Sequence, residues 1–268
     1  MNNNAIGIFD SGLGGLTAVK EVMELLPKEN IVYFGDTGRV PYGTRSSQTL
    51  YKYVTQDIRF LKQFNTKMIV IACGTASTVV LPELEGFDIP IAGVVDEAAR
   101  VSVKESRNKR IGVIATQATI SSGAFERRIK AFSDDAAVFS KACPLFVPLV
   151  ENGHTHSELA KLAAEEYLKP LKEEEIDTLI LGCTHYPLLS DIIGEYMGSG
   201  VTLINSGEQV AKYVKRYLEN NNMLNESNEN GKYSYYVSDT TAGFEKLGSR
   251  FLGRDIGGLV SRIDIEKY

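Results

Sequence analysis

The chain has 268 residues, 43% of them hydrophobic, and a formal charge of −5, enough core for one large or two medium domains. A pI near 5.4 leaves no electrostatic footprint for nucleic acid, so no such partner is expected. No apolar run reaches the ~18 residues of a membrane helix, the start Met1-Asn2-Asn3-Asn4 lacks a basic leader, and three cysteines do not make a disulfide framework, so a reduced, cytoplasmic protein is expected.

Ala5 to Phe9 reads as a strand. Asp10-Ser11-Gly12-Leu13-Gly14-Gly15 is a turn, and Leu16, Val19, Met23 and Leu26 mark one helix face. Strand Ile31 to Phe34 leads into a polar loop, Gly35-Asp36-Thr37-Gly38-Arg39-Val40-Pro41-Tyr42-Gly43, and then helix Ser47 to Phe64. Strand Met68 to Ile71 is followed by Ala72-Cys73-Gly74-Thr75, a helix to about Glu85, and strand Ile89 to Val94. The pattern then restarts with helix Glu97 to Ser106, strand Ile111 to Ala115, helix Gly123 to Phe132 and strand Ala137 to Phe139. A loop containing Glu151 precedes helix Ser157 to Leu168, and strands Thr178 to Leu181 and Val201 to Ile204 close this unit. Helix Glu208 to Leu218, a solvated loop Asn220 to Lys232, strand Tyr233 to Val237 and helix Ala242 to Leu252 finish the regular structure.

Strand and helix alternate, which gives parallel sheets with helices on both faces. Ile6-Gly7-Ile8 returns as Ile111-Gly112-Val113 and Cys73 returns as Cys183, at offsets of 105 and 110 residues (111 − 6 and 183 − 73). The expected architecture is α/β: two similar doubly wound parallel-sheet domains related by a pseudo-twofold, with the active site in the cleft between them. Residues 1–97 with 207–268 form the first domain and 98–206 the second.

Cys183 follows the strand run Thr178 to Leu181, and Pro187 then opens a helical period. A strand tip feeding a helix N-terminus is where open α/β sheets bind ligands and where the helix dipole favours a thiolate. Singly, Cys73 and Cys183 read as buried structural thiols. As a pair at matching strand tips they suit removal of a proton from one face of a carbon and its return to the other. No CxxC pair supports zinc, and the Asp10–Gly15 turn lacks the GxGxxG spacing of a dinucleotide site.

Asp10 reads as a capping residue, or as a proton acceptor or ammonium partner beside a thiol, with Ser11 donating to a carboxylate. Gly12, Gly14 and Gly15 let backbone N–H groups approach an anion. Asp36 and Pro41-Tyr42-Gly43 form a binding loop. The hydroxyls of Thr75 and Thr184 stand beside the two thiols, and His185 is an orienter or proton partner for Cys183. Cys143 reads as structural, and His154 and His156 as solvent-exposed.

At DSGLGGL (Asp10 to Leu16), GDTGRVPYG (Gly35 to Gly43) and GCTHYPLL (Gly182 to Leu189), in that order, the chain resembles the glutamate racemases of the cofactor-independent aspartate/glutamate racemase superfamily. The resemblance implies interconversion of L- and D-glutamate by 1,1-proton transfer at Cα, supplying D-glutamate for peptidoglycan, with no cofactor and no metal. It implies Cys73 and Cys183 as the acid–base pair, acting on the D- and L-enantiomer respectively, with Asp10, Glu151 and His185 as auxiliaries. Substrate contacts fall to Asp10, Ser11, Asp36, Pro41, Tyr42, Gly43, Gly74, Thr75, Thr184 and His185, and a homodimer is the expected assembly. One departure stands out: Cys73-Gly74-Thr75 where the family usually has Cys-Asn-Thr. The missing amide implies a raised Michaelis constant that Gly74→Asn would lower; the alternative is a pocket repacked around Gly74, in which Asn would clash and reduce activity. A weakly active or regulatory relative, a racemase of altered substrate preference, or another superfamily chemistry such as a hydantoin racemase or a decarboxylase are the competing readings.

Overall fold

A computed structural model describes residues 3–268; Met1 and Asn2 lie outside the described residues. Among the described residues, ten strands run in chain order: β1 Ile6–Asp10, β2 Ile31–Gly35, β3 Met68–Ile71, β4 Ile91–Gly93, β5 Arg110–Ala115, β6 Ala137–Ala142, β7 Thr178–Leu181, β8 Thr202–Asn205, β9 Tyr233–Val237 and β10 Val260–Arg262. They build two all-parallel sheets, β10-β9-β2-β1-β3-β4 and β6-β5-β7-β8. Every residue of β1, β2, β3 and β7 is buried, because helices cover both faces.

The internal repeat is visible in register. Ile6 pairs with Met68 in the first sheet, and Ile111 pairs with Thr178 in the second. The order β2-β1-β3-β4 recurs as β6-β5-β7-β8. In each sheet the chain reverses direction across the sheet between β1 and β3, or between β5 and β7. Such switch points leave a crevice at the strands' carboxyl ends. Asp10 and Cys73 stand at one crevice, Thr116 and Cys183 at the other.

Several elements depart from the sequence reading. The helix expected to reach about Glu85 ends at Val79, and Leu81–Glu83, with Pro82 inside it, forms a separate 3-10 turn. The helix expected from Gly123 to Phe132 runs from Ala124 to Phe132, and a further short helix outside the sequence reading, Gln117–Ser121, precedes it, with Gly123 left-handed (φ 62) between the two. Pro187 opens a 3-10 turn, Tyr186–Leu189, and the α-helix Ser190–Met197 begins only after it. The loop after helix Ser206–Asn220 is not wholly solvated. Asn225 is buried there, its N–H donating to Glu29 Oε1, and the Glu29–Lys67 ion pair beneath it is sealed from solvent. No helix among the described residues is long and apolar enough to cross a membrane.

Candidate active site

The carboxyl ends of the two sheets face a cleft of about 420 Å³. On the first side, β1 ends at Asp10, which is buried. Its Oδ2 accepts the N–H groups of Gly12 (3.2 Å) and Gly15 (3.0 Å). The glycine N–H groups that the sequence offers to an outside anion are therefore partly taken by Asp10 itself. Burial pushes the Asp10 carboxyl up, while His185 and the N–H groups of Gly15, Gly12 and Ser11 pull it down; the net direction is up.

Cys73 lies just beyond β3 as the N-cap of the short helix Gly74–Val79. Its Sγ donates toward Ser11 Oγ at 3.8 Å. Burial first, then the charge of Asp10, push the thiol up to about 12, against the pull of the Ala76 N–H and the Ser11 hydroxyl. At neutral pH Cys73 rests as the thiol.

On the second side, Gly182 and Cys183 leave the tip of β7. Cys183 is half-buried, and its Sγ lies 3.9 Å from Nδ1 of His185. The other ring nitrogen, Nε2, lies 3.0 Å from Glu151 Oε1. Burial pulls the His185 pKa down, but its bonds to Cys183 and Glu151 and the charges of Cys183 and Asp10 outweigh this and raise it to about 10. The ring is an imidazolium at neutral pH. Glu151 is the last residue of helix Phe146–Glu151, not a loop residue as the sequence reading has it. That helix end is what brings a carboxylate up to the ring.

The lip of the cleft carries Pro41, Tyr42 and Gly43, and the Val40–Pro41 peptide is cis. Gly74, Thr75 and Thr184 also line the cleft. Asp36 does not. It is fully buried behind Tyr42, with Oδ2 accepting the Tyr42 hydroxyl (2.5 Å) and Arg39 Nε (2.6 Å), and Oδ1 accepting Ser238 Oγ (2.8 Å). Tyr42 also lies 2.9 Å from Asp57 Oδ2, and Arg39 reaches Asp57 Oδ1 at 2.8 Å. Asp36 thus holds the lip from behind.

Two residues that the sequence reading missed complete the cleft. Thr116 Oγ1 lies 3.1 Å from Thr75 Oγ1 and 3.0 Å from Thr119 Oγ1, a hydroxyl cluster that spans the two sheets' units. The repeat offset of 105 residues that takes Ile6 to Ile111 also takes Ser11 to Thr116, and would have found it. Cys143 borders the cleft yet is fully buried, and its carbonyl accepts the Tyr186 hydroxyl at 2.9 Å. All three cysteines are free, and His154 and His156 are exposed.

The chain and its fold are similar to those of known proteins. Residues 19–214 fit the model of the Asp/Glu/Hydantoin racemase family. A glutamate racemase of Geobacter metallireducens is 47% identical over 254 residues, covering 94% of each chain. A glutamate racemase isoform from Bacillus anthracis superposes with a TM-score of 0.94 at 38% identity, covering 98% of both chains. The glutamate racemase from Francisella tularensis, solved in complex with D-glutamate, gives 0.92 at 36% identity over 100% of both. With thiols at equivalent tips of two repeated sheets and relatives matched from end to end, the chain belongs to the Asp/Glu/Hydantoin racemase family.

Proposed function

We propose that the protein interconverts L- and D-glutamate by proton transfer at Cα between two cysteines, supplying D-glutamate for peptidoglycan. The observation that carries this reading is the pair of free thiols, Cys73 and Cys183, lining one cleft from equivalent strand tips. The substrate is taken from the relatives, whose names are glutamate racemase.

L-Glutamate would bind with Cα between the sulfurs. A thiolate at Cys183 takes the α-proton, while the Cys73 thiol gives its proton to the opposite face and becomes the thiolate. D-Glutamate runs the same exchange backward. Cys73 resting as a thiol, opposite a sulfur that faces an imidazolium, is the form L-glutamate needs. The equilibrium constant of a racemisation is unity, so kcat/KM is equal in both directions; the asymmetry of the two sides then appears in kcat and KM separately.

Asp10 takes the substrate ammonium, and Ser11 and Thr184 face one carboxylate. The Thr75–Thr116–Thr119 hydroxyls face the other. Residues 1–97 with 207–268 would close on 98–206, expelling water and strengthening each charge interaction at the reacting carbon. Free thiols suit the reducing cytoplasm, where we place the reaction. A homodimer is the working assembly we assign, and exposed Leu145, Leu159 and Leu162 offer apolar surface for it.

The test is polarimetry on pure L-glutamate with aspartate and hydantoins as controls. The rotation should decay to zero for glutamate alone. A stable rotation on glutamate, or faster decay on a control, overturns the reading.

A further inference from the structure

Thr17 lies outside the cleft wall, yet its hydroxyl joins the two turns that carry the acid–base groups. It is 6% exposed, in the first turn of helix Leu16–Leu25. Its Oγ1 stands 2.9 Å from the Gly14 carbonyl oxygen and 2.9 Å from that of Thr184. A bond back to Gly14 alone would be the ordinary habit of a threonine near a helix start. The bond to Thr184 is different: it crosses from the turn folded by Asp10 to the turn Cys183-Thr184-His185 on the other sheet.

The same junction leaves no room for a side chain on Gly14. A Cβ there would collide with Thr184 Oγ1 and with the His185 ring. The two turns therefore meet in direct contact, and Thr17 supplies a polar link between them. Asp10 stands on one side of this junction and His185 on the other, close enough for each charge to act on the other.

We propose that Thr17 is a positioning residue for the proton transfer: its hydroxyl clasps the Thr184 carbonyl and so sets where Cys183 stands against the substrate carbon, opposite Cys73. The proposal rests on the two-thiol reading above. Reacting atoms must lie about 3–3.5 Å apart and aligned, and a 1 Å misplacement can cost on the order of a hundredfold in rate. A single hydrogen bond that fixes one of two opposed sulfurs can therefore matter more to the chemistry than to the fold.

The test uses Thr17→Val, which keeps the shape and removes the donor, and Thr17→Ser, which keeps the donor. Racemisation and Cα–H exchange in deuterium oxide are measured on both enantiomers. Thr17→Val should slow racemisation by about three- to tenfold. It should also raise exchange without inversion, relative to racemisation, on the one enantiomer whose proton Cys73 removes. A carbanion made by Cys73 would then wait for a displaced Cys183 and be reprotonated on the face it left. Thr17→Ser should keep the wild-type ratio. If Thr17→Val scales every rate equally and leaves the ratio unchanged, or if Thr17→Ser shows the same defect as Thr17→Val, the clasp is overturned. Wild-type protein that neither racemises nor exchanges either enantiomer would instead overturn the two-thiol reading.

Discussion

Gly74 faces the carbonyl oxygen of Gly182 across the cleft so closely that a Cβ on residue 74 would stand 2.5 Å from it. The contact is with backbone, which cannot swing aside as a flexible side chain would. The resemblance alone leads one to expect that Gly74→Asn restores a lost amide and improves the enzyme. The packing reverses that expectation, because the cleft is built around a missing side chain. Overpacking a tight site costs about 1–3 kcal/mol, so Gly74→Asn and Gly74→Ala should each lower kcat/KM by roughly five- to a hundredfold. Steady-state kinetics on both enantiomers check this, and a gain in kcat/KM for Gly74→Asn would mean that the cleft opens to admit the amide.

His185 gives a pH signature. Its folded pKa, about 10, lies above the ordinary histidine value of 6.5. A group raised on folding stabilises the protein fully below the unfolded pKa and loses that contribution as pH rises through the folded one. The stability difference between wild type and His185→Gln should be largest below pH 6.5 and shrink as pH climbs toward about 10. Glu151→Gln removes one of the two bonds that raise the ring, so the His185 titration followed by NMR should move to lower pH. An unmoved midpoint in Glu151→Gln would show that Glu151 does not support the imidazolium.

Cys73 should be a slow nucleophile in the resting protein. With its thiol pushed up to about 12, the reactive thiolate is scarce at pH 8. Iodoacetamide labelling of Cys73, read by mass spectrometry, should climb about tenfold per pH unit between pH 8 and 11, as the thiolate fraction does. Rapid, pH-independent labelling of Cys73 at pH 7 would contradict the assignment of the resting thiol.

The lip depends on Arg39, the cation between two buried carboxylates. Asp36 and Asp57 are both fully buried, and the Arg39 side chain is 10% exposed. Burial, then the facing Asp36, push the Asp57 carboxyl well up, which Arg39 opposes. Removing one partner of a buried ion pair costs about 3–5 kcal/mol, so Arg39→Met should lower unfolding free energy by about that amount. The loosened lip should also raise KM for glutamate. Denaturant unfolding and kinetics read the two effects, and a fully stable Arg39→Met variant would mean the pair is not what holds Tyr42.

The sheets were legible in the sequence because strands such as β1, β3 and β7 are buried on both faces and so read as unbroken apolar runs. β10 was not: it is three residues long, at a sheet edge and largely exposed, and leaves no period to detect. Cys73 and Cys183 could be read as a pair because the repeat sets them in step. Asp36 was legible as a polar residue near the site but not as one turned away from it, since a loop's sequence does not say which side chain faces inward. Thr116 was within reach of the repeat offset from Ser11, but Thr119 reaches the cleft only because the second sheet faces the first, and that is a tertiary fact. Glu151 needed the helix end at Asn152 before its carboxylate could be placed against His185.

The central claim is that each sulfur serves one face of the substrate carbon. The most direct measurement is Cα–H exchange with deuterium oxide on pure L- and pure D-glutamate, using Cys73→Ser and Cys183→Ser. Replacing a thiol by a hydroxyl removes the acid–base group at working pH, so each variant should lose racemisation by several orders of magnitude while keeping exchange on one enantiomer. The enantiomer should be L for Cys73→Ser and D for Cys183→Ser. If both variants exchange the same enantiomer, or either racemises at near the wild-type rate, the two-thiol account is wrong.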